Sequence, residues 1–214
     1  MDVGQVRVPK HVGVIPDGNR RYACGQGLEK NEGYAYGLNP GVCVVNMAKA
    51  YGIEEITFYG FTTDNCRRPV SQVASFQVAC VQAVALILAE GDVEVLVVGD
   101  AASKFFPDEL RIYLQPVAVG NPKVRVNFLV NYGWKWDLKG IDGGHVTKDL
   151  KSKDISRMDM IIRWGGMRRL SGFLPVQSVY SDFYVVDALW PDYEDQHFID
   201  AIQWYQKQDV TLGG

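Results

Sequence analysis

The sequence has no CxxC pair, and its four cysteines, Cys24, Cys43, Cys66 and Cys80, lie scattered along the chain. Only three histidines occur, none at metal-ligand spacing from a cysteine. Both facts exclude a zinc-ribbon type of site and a disulfide scaffold, and they predict a reduced, cytoplasmic setting. No GxxxxGK[ST] loop, no GxGxxG after the first strand-like run and no GxSxG are present. A P-loop NTPase, a dinucleotide-binding fold and a hydrolase nucleophile elbow are disfavoured accordingly. Positive charge is not in excess either: Lys+Arg 22 stand against Asp+Glu 25, a formal net charge of -3. Such a chain has no global field for phosphate backbones, so no nucleic-acid partner is expected. Internal repeats, low-complexity tracts and linkers are lacking, and Met1–Lys10 has no apolar segment of a secretory signal.

What remains is 47% hydrophobic and 22% charged over 214 residues. That is enough to bury a core, and residues 1–214 are read as one domain. Strand-like runs alternate with helix-like ones. Strands are predicted at His11–Ile15, Glu55–Phe61, Val93–Val98, Val124–Val130, Met158–Ile162 and Phe183–Val186. Helices are predicted from Asn39-Pro40 to Gly52, from Pro69 through Ala89, at Pro107–Leu114, Leu170–Tyr180 and Glu194–Gln208. Strands separated by helices imply right-handed crossovers, hence an α/β fold with a central, mostly parallel sheet flanked by helices on both faces. Val70–Ala89 carries no charged residue and is long enough to span a bilayer, but Gln72, Gln77, Gln82, Ser71 and Ser75 break its apolarity. It is read as a buried helix of a soluble protein, suited to line a pocket for a greasy ligand.

Three Arg-Arg doublets, Arg20-Arg21, Arg67-Arg68 and Arg168-Arg169, each follow a predicted strand within a few residues. One doublet alone reads as solvated surface charge. Three at equivalent strand ends read differently, because the carboxyl ends of parallel strands open on one edge, where ligands bind. Arginine's planar fork matches phosphate oxygens. Gly18, Gly165 and Gly166 are expected to let backbone N–H groups approach an anion. Asp17, inside the PDGNRR run, then makes most sense as a Mg²⁺ ligand beside substrate phosphates, against the plain reading of a turn-forming Asp-Gly. Asp64, Asp182 and Asp187 are further acidic candidates, each individually closer to a cap or an arginine partner.

With these residues in view, His11–Ala23 (HVGVIPDGNRRYA), Gly60–Pro69 (GFTTDNCRRP), Asn131–Asp137 (NYGWKWD) and the stretch Asp159–Asp192 resemble the signatures of the cis-prenyltransferases, the undecaprenyl diphosphate synthase family. The resemblance covers nearly the whole chain in the expected order. It implies a homodimer with an apolar tunnel walled by helices. It implies Mg²⁺-dependent condensation of an allylic diphosphate with isopentenyl diphosphate, and a peripheral membrane contact for product release. Residue by residue, Asp17 resembles the metal-binding aspartate. Gly18, Asn19, Arg20 and Arg21 resemble the loop gripping the allylic diphosphate, with Lys30 where an arginine usually helps. Asn65 and Arg68 match the loop after the second strand. Arg163, Arg169 and Ser171 match the site for the second diphosphate. Asp182 stands where a glutamate commonly joins the metal.

Departures from the family pattern fall mainly around the second substrate. Tyr34 replaces a usual histidine, Cys66 a tryptophan, Met167 a glutamate, and Pro175-Val176 a leucine-tryptophan pair. Leu138–Met158 looks shortened, and the tail Thr211–Gly214 lacks an Arg-x-Gly ending. Three alternatives therefore stand beside chain elongation. One is coupling of two allylic diphosphates or prenylation of another acceptor. Another is ionisation without condensation, as in terpene synthases. The third is a non-catalytic partner subunit. For the tunnel floor, Phe76, Leu86 and Leu88 are candidates by helical position.

Overall fold

A computed structural model describes residues 7–141 and 146–209. In chain order the elements are β1 (His11–Ile15), α1 (Asn19–Gly25), α2 (Gly33–Tyr36), α3 (Leu38–Tyr51), β2 (Glu55–Thr62), α4 (Val70–Ala89), β3 (Val93–Val98), β4 (Val117–Val119), β5 (Val124–Tyr132), α5 (Trp134–Asp137), α6 (Val146–Asp149), β6 (Met160–Arg163), β7 (Asp182–Val185) and α7 (Asp195–Tyr205). Single-turn 3-10 segments lie at Thr63–Arg67, Asp108–Leu114 and Trp190–Asp192. The sheet has seven strands in the order β4-β3-β5-β2-β1-β6-β7. All pairings are parallel except β3 with the short edge strand β4.

β1, HVGVI, is buried at every position, as a central strand covered on both faces must be. Its odd and even residues feed two separate cores. Val12 and Val14 join Val44, Ala48, Val84, Ile87, Phe198 and Ile202 under α3, α4 and α7. Ile15, Ile161 and Leu129 point to the other side, onto Tyr132, Met158 and Phe173. The helices thus gather on one face. The second face was expected to carry a helix at Leu170–Tyr180, but this segment is a series of turns. Ser171, Gly172 and Leu174 have φ of 54, 81 and 37°, left-handed values that no α-helix accepts, and Pro175 follows. Phe173 and Leu174 still fill the core from this irregular segment.

α4 departs from a wholly buried helix. Its inner positions Val73, Ala79, Cys80, Val84 and Ile87 are buried, while Val70, Val78 and Leu86 are 85%, 55% and 41% exposed. It is the one helix among the described residues long and apolar enough to cross a membrane; here it packs against β2, β3 and α3. α3 and α4 end where glycines permit a left-handed turn, Gly52 with φ 71° and Gly91 with φ 65°. β4 and the short helices had no counterpart in the sequence reading, and the Arg-x-Gly position of the tail lies outside the described residues.

At the amino-terminal edge of the sheet a polar cluster ties β1, β2 and β5 together. His11 is buried, with Nε2 2.8 Å from Thr57 Oγ1 and Nδ1 3.0 Å from Ser156 Oγ. Asn127 Nδ2 donates to Thr57 and to Glu55. Burial outweighs the charge of Glu55 and holds the imidazole below its usual 6.5. The unfolded chain gains a proton near that pH and the folded chain does not, so stability falls as pH drops below it, by up to about 1.4 kcal/mol per unit. Urea midpoints between pH 7 and 5 should decline less in His11→Gln than in the parent chain.

Candidate active site

The carboxyl ends of β2, β1 and β6 are neighbours, and each opens into a loop bearing an arginine doublet. Among the described residues these loops line one cleft, with a cavity volume of ≈ 340 Å³. Arg20, Arg68, Arg163 and Arg169 face it against only two carboxylates, Asp17 and Asp64. One member of each doublet thus lines the cleft. Arg67 and Arg168 are exposed elsewhere. Arg21 turns back, its Nη2 donating to Gly165 O at 2.9 Å and lying 3.4 Å from Asp17.

Asp17 sits two residues beyond β1. Its backbone is pinned: N–H donates to Ile15 O, and its carbonyl accepts from Trp190 N–H at 3.0 Å. Arg163, the last residue of β6 and only 4% exposed, donates from Nη2 to Asp17 Oδ2 at 2.8 Å. It also donates to Ser171 Oγ at 3.1 Å and to the carbonyl of Arg169. The Nε groups of Arg20 and Arg163 are buried without an acceptor, which suits a cleft built to receive an anion. Gly18, with φ 119°, lets the chain turn into α1, and a Cβ there would lie 2.9 Å from Leu189 Cβ. The first N–H groups of α1 have no partner within the helix.

Gly165 and Gly166 do something other than expected. Their N–H groups already donate to Ala188 O and Val186 O, at 2.8 and 3.0 Å. They serve close loop packing: a Cβ on Gly165 would meet Asp17 O at 2.9 Å.

The second loop, after β2, is stiffened by Asn65, whose Oδ1 accepts from Thr62 N–H at 3.0 Å. Arg68 Nη1 donates to the hydroxyl of Tyr34 at 3.0 Å. Cys66 Sγ lies 3.3 Å from Asn131 Oδ1, and burial pushes its thiol up, so it packs rather than reacts. Two predicted residues lie elsewhere. Lys30 is exposed in the turn after α1 and does not line the cleft. Asp182 opens β7 opposite Met160, whereas the cleft forms beyond Arg163 at the other end of these strands. It pairs instead with Arg7, at 3.7 Å, and within this chain it cannot share a metal with Asp17. Asp187 is exposed beside Gly166, outside the cleft.

Tyr59 escaped the sequence reading, being indistinguishable from any strand aromatic. Its hydroxyl donates to Ser171 O at 2.8 Å, fixing the left-handed Ser171 at the cleft. Burial, with the charge of Asp64, drives its pKa upward, so it remains a donor.

A second, apolar pocket adjoins the cleft beneath α2, α3 and α4. Pro16, Asn19, Tyr34, Gly60 and Phe76 belong to the walls of both. Phe58 and Phe128, paired on β2 and β5 below Gly60, and Ile87 of α4 line its deeper part, while Trp190 flanks it beside Asn19 and Gly37. Phe76 therefore stands at the mouth rather than the floor, and neither Leu86 nor Leu88 lines the pocket. Cys80, fully buried in the wall, has its thiol pushed up to about 12 and stays neutral.

A parallel sheet that gathers guanidinium groups at its carboxyl edge, beside an apolar pocket, defines an α/β protein with a cationic cleft continuous with an apolar one. Sequence comparison specifies it. The family described as "Putative undecaprenyl diphosphate synthase" matches residues 15–213. A Haemophilus ducreyi ditrans,polycis-undecaprenyl-diphosphate synthase, (2E,6E)-farnesyl-diphosphate specific, is 29% identical over 97% of this chain and 95% of its own. A Thermus thermophilus isoprenyl transferase is 30% identical over 96% of this chain and 89% of its own. The fold matches a lavandulyl diphosphate synthase from Lavandula x intermedia, solved in complex with dimethylallyl diphosphate. Its TM-score is 0.82 at 21% identity, over 97% of this chain and 99% of that one. The chain belongs to the undecaprenyl diphosphate synthase family and is a cis-prenyltransferase.

Gly165→Ala should strain a residue held at φ 86° and push on the Asp17 backbone. A stability loss of about 1–3 kcal/mol by thermal unfolding is expected, with at least a tenfold fall in prenyl transfer.

Proposed function

We propose that this enzyme binds an allylic diphosphate, dimethylallyl or longer, at the arginine-lined cleft and transfers its prenyl group to isopentenyl diphosphate in a Mg²⁺-dependent reaction, giving a cis-prenyl diphosphate. The observation that carries this reading is continuity. Tyr34 and Phe76 belong at once to a polar cleft holding four arginines and to an apolar pocket, so one ligand can place its diphosphate in the first and its tail in the second.

The donor set fits Mg²⁺. Among the described residues no three metal-ligating side chains cluster, and Asp17 supplies a single hard carboxylate where substrate oxygens would complete the shell. When bound, the ion would offset negative charge growing on the departing diphosphate. The chain's own residues supply the rest. Arg20, Arg21, Asn19 and Gly18 support the grip on the allylic diphosphate. Arg163, Arg169 and Ser171 support the second diphosphate, with Asn65 and Arg68 at the rim. Fixed guanidinium groups stabilise the leaving group without reorganising. The aromatic pocket keeps water from the allyl group as it gains cationic character. The acceptor double bond then attacks the freed carbon, and a proton leaves. Holding both diphosphates turns an encounter into an oriented step.

A second reading has its own support. Tyr34, Cys66 and Met167 depart from the family pattern, and the matching lavandulyl diphosphate synthase was solved with dimethylallyl diphosphate. In this reading the acceptor is a second allylic diphosphate. The reading extends to a cytoplasmic homodimer touching the membrane peripherally. The half-exposed edge strand β7, with Val179 and Tyr180 open beside it, and the apolar outer face of α4 support those two contacts.

Mass spectrometry of products from labelled dimethylallyl, geranyl and isopentenyl diphosphates, offered singly and paired, tests both readings. Product from an allylic and isopentenyl pair is expected with Mg²⁺, lost with EDTA and restored by added Mg²⁺. Product from dimethylallyl diphosphate alone would favour the second reading, and no prenyl product from any combination would overturn both. Asp17→Ala should lower turnover at least a hundredfold in a chain that still folds, and full activity in that variant would refute its metal role.

A further inference from the structure

We infer that the stacked pair Tyr34–Phe76 sets which allylic tail is accepted, confining the apolar pocket to a five-carbon group and shutting out a farnesyl-sized one. This deepens the function proposed above and rests on it. The two rings lie 4.5 Å apart, parallel within 4°, and Phe61 meets Phe76 edge-on at 5.3 Å. Tyr34 is only 5% exposed. Its hydroxyl is held by Arg68, whose guanidinium lies 5.8 Å from the Phe76 ring. The pair is thus locked from both sides at the boundary between cleft and pocket.

The other end is equally fixed. Phe58 stacks on Phe128 at 5.3 Å and meets Trp190 edge-on at 6.5 Å, while Trp190 Nε1 donates to Gly37 O at 2.8 Å. The rest of the wall combines small residues, Gly41, Gly60, Ala79 and Ala83, with the aliphatic Leu38, Ile87 and Val130. The apolar pocket has a cavity volume of ≈ 80 Å³, against ≈ 340 Å³ for the polar cleft it opens into. A void needs about 10–15 Å³ to hold one water-sized group, so this one takes roughly five to eight. That count matches a branched five-carbon tail and falls far short of fifteen carbons. The (2E,6E)-farnesyl specificity of the Haemophilus ducreyi relative would therefore not be shared. Because Arg68 is both a cleft arginine and the partner of Tyr34, a diphosphate that engages Arg68 also orients the ring over the tail.

The test is calorimetric titration with inorganic diphosphate and with non-reacting dimethylallyl and farnesyl thiolodiphosphates in Mg²⁺. The parent chain should bind the dimethylallyl analogue at least tenfold more tightly than the farnesyl one. Phe76→Ala should erase that ratio by tightening farnesyl binding about tenfold. Ala83→Phe, which fills the pocket from within, should weaken the dimethylallyl analogue at least tenfold and leave inorganic diphosphate unchanged. The second variant keeps the test decisive if the first fails to fold. Equal affinity for both tails in the parent chain, or a ratio that neither variant moves, would overturn the inference while diphosphate binding still upheld the functional reading. Absence of binding by all three ligands would overturn both.

Discussion

The bond between Arg163 and Asp17 is the constraint on which the site depends. Each residue lies at or just beyond the carboxyl end of its strand, and β6 pairs with β1 in parallel, with Arg163 opposite Ile15. A guanidinium this buried is costly unless several acceptors meet it. Asp17, Ser171 and the carbonyl of Arg169 meet it together, so one arginine holds the Asp17 loop and the loop after β6 in a common geometry. Tyr59 fixes Ser171 from β2, and Arg21 returns from α1 to Gly165. Three segments distant in sequence are thereby tied into one frame before any ligand arrives. Preorganised charge of this kind stabilises a leaving diphosphate well, because no dipole has to turn as the bond breaks.

Polar and apolar chemistry are kept apart by the same sheet edge. The arginines crowd the loops above the strands, and the aromatic pocket lies lower, between β2, β5 and α4. They meet along Pro16, Asn19, Tyr34, Gly60 and Phe76. An amphiphilic substrate is read twice, its head by charge and hydrogen bonds, its tail by volume. The exposed outer face of α4 follows from this division. The helix gives Phe76, Ala79, Cys80, Ala83 and Ile87 to the pocket wall, and its most exposed apolar side chains, Val70, Val78 and Leu86, stand where solvent would accept charge.

Much of this was legible in the sequence because it is local. Strand and helix alternation, Gly52 and Gly91 as helix stops, and the uncharged run of α4 follow from periodicity and backbone preference. The arginine doublets could be assigned to one edge because parallel strands share a direction. Leu170–Tyr180 misled for an equally physical reason. Its apolar spacing suits a helix, but Tyr59 and Trp134 press against Ser171 and Gly172 and draw the chain into left-handed turns. Gly165 and Gly166 likewise looked like anion-binding donors until the carbonyls of Ala188 and Val186 proved to occupy their N–H groups.

The sequence by itself determined the α/β class, the family and the kinds of side chain present, since motifs and periodicity survive without knowledge of contacts. Only the tertiary structure decided which of those side chains meet. It set Asp182 at the amino-terminal edge with Arg7, a consequence of strand register. It turned Lys30 away and brought Phe76 to the boundary between the cleft and a pocket lined more deeply by Phe58 and Phe128. Those are facts of distance between residues far apart in the chain, and such distances exist only once the sheet has closed its order around β1.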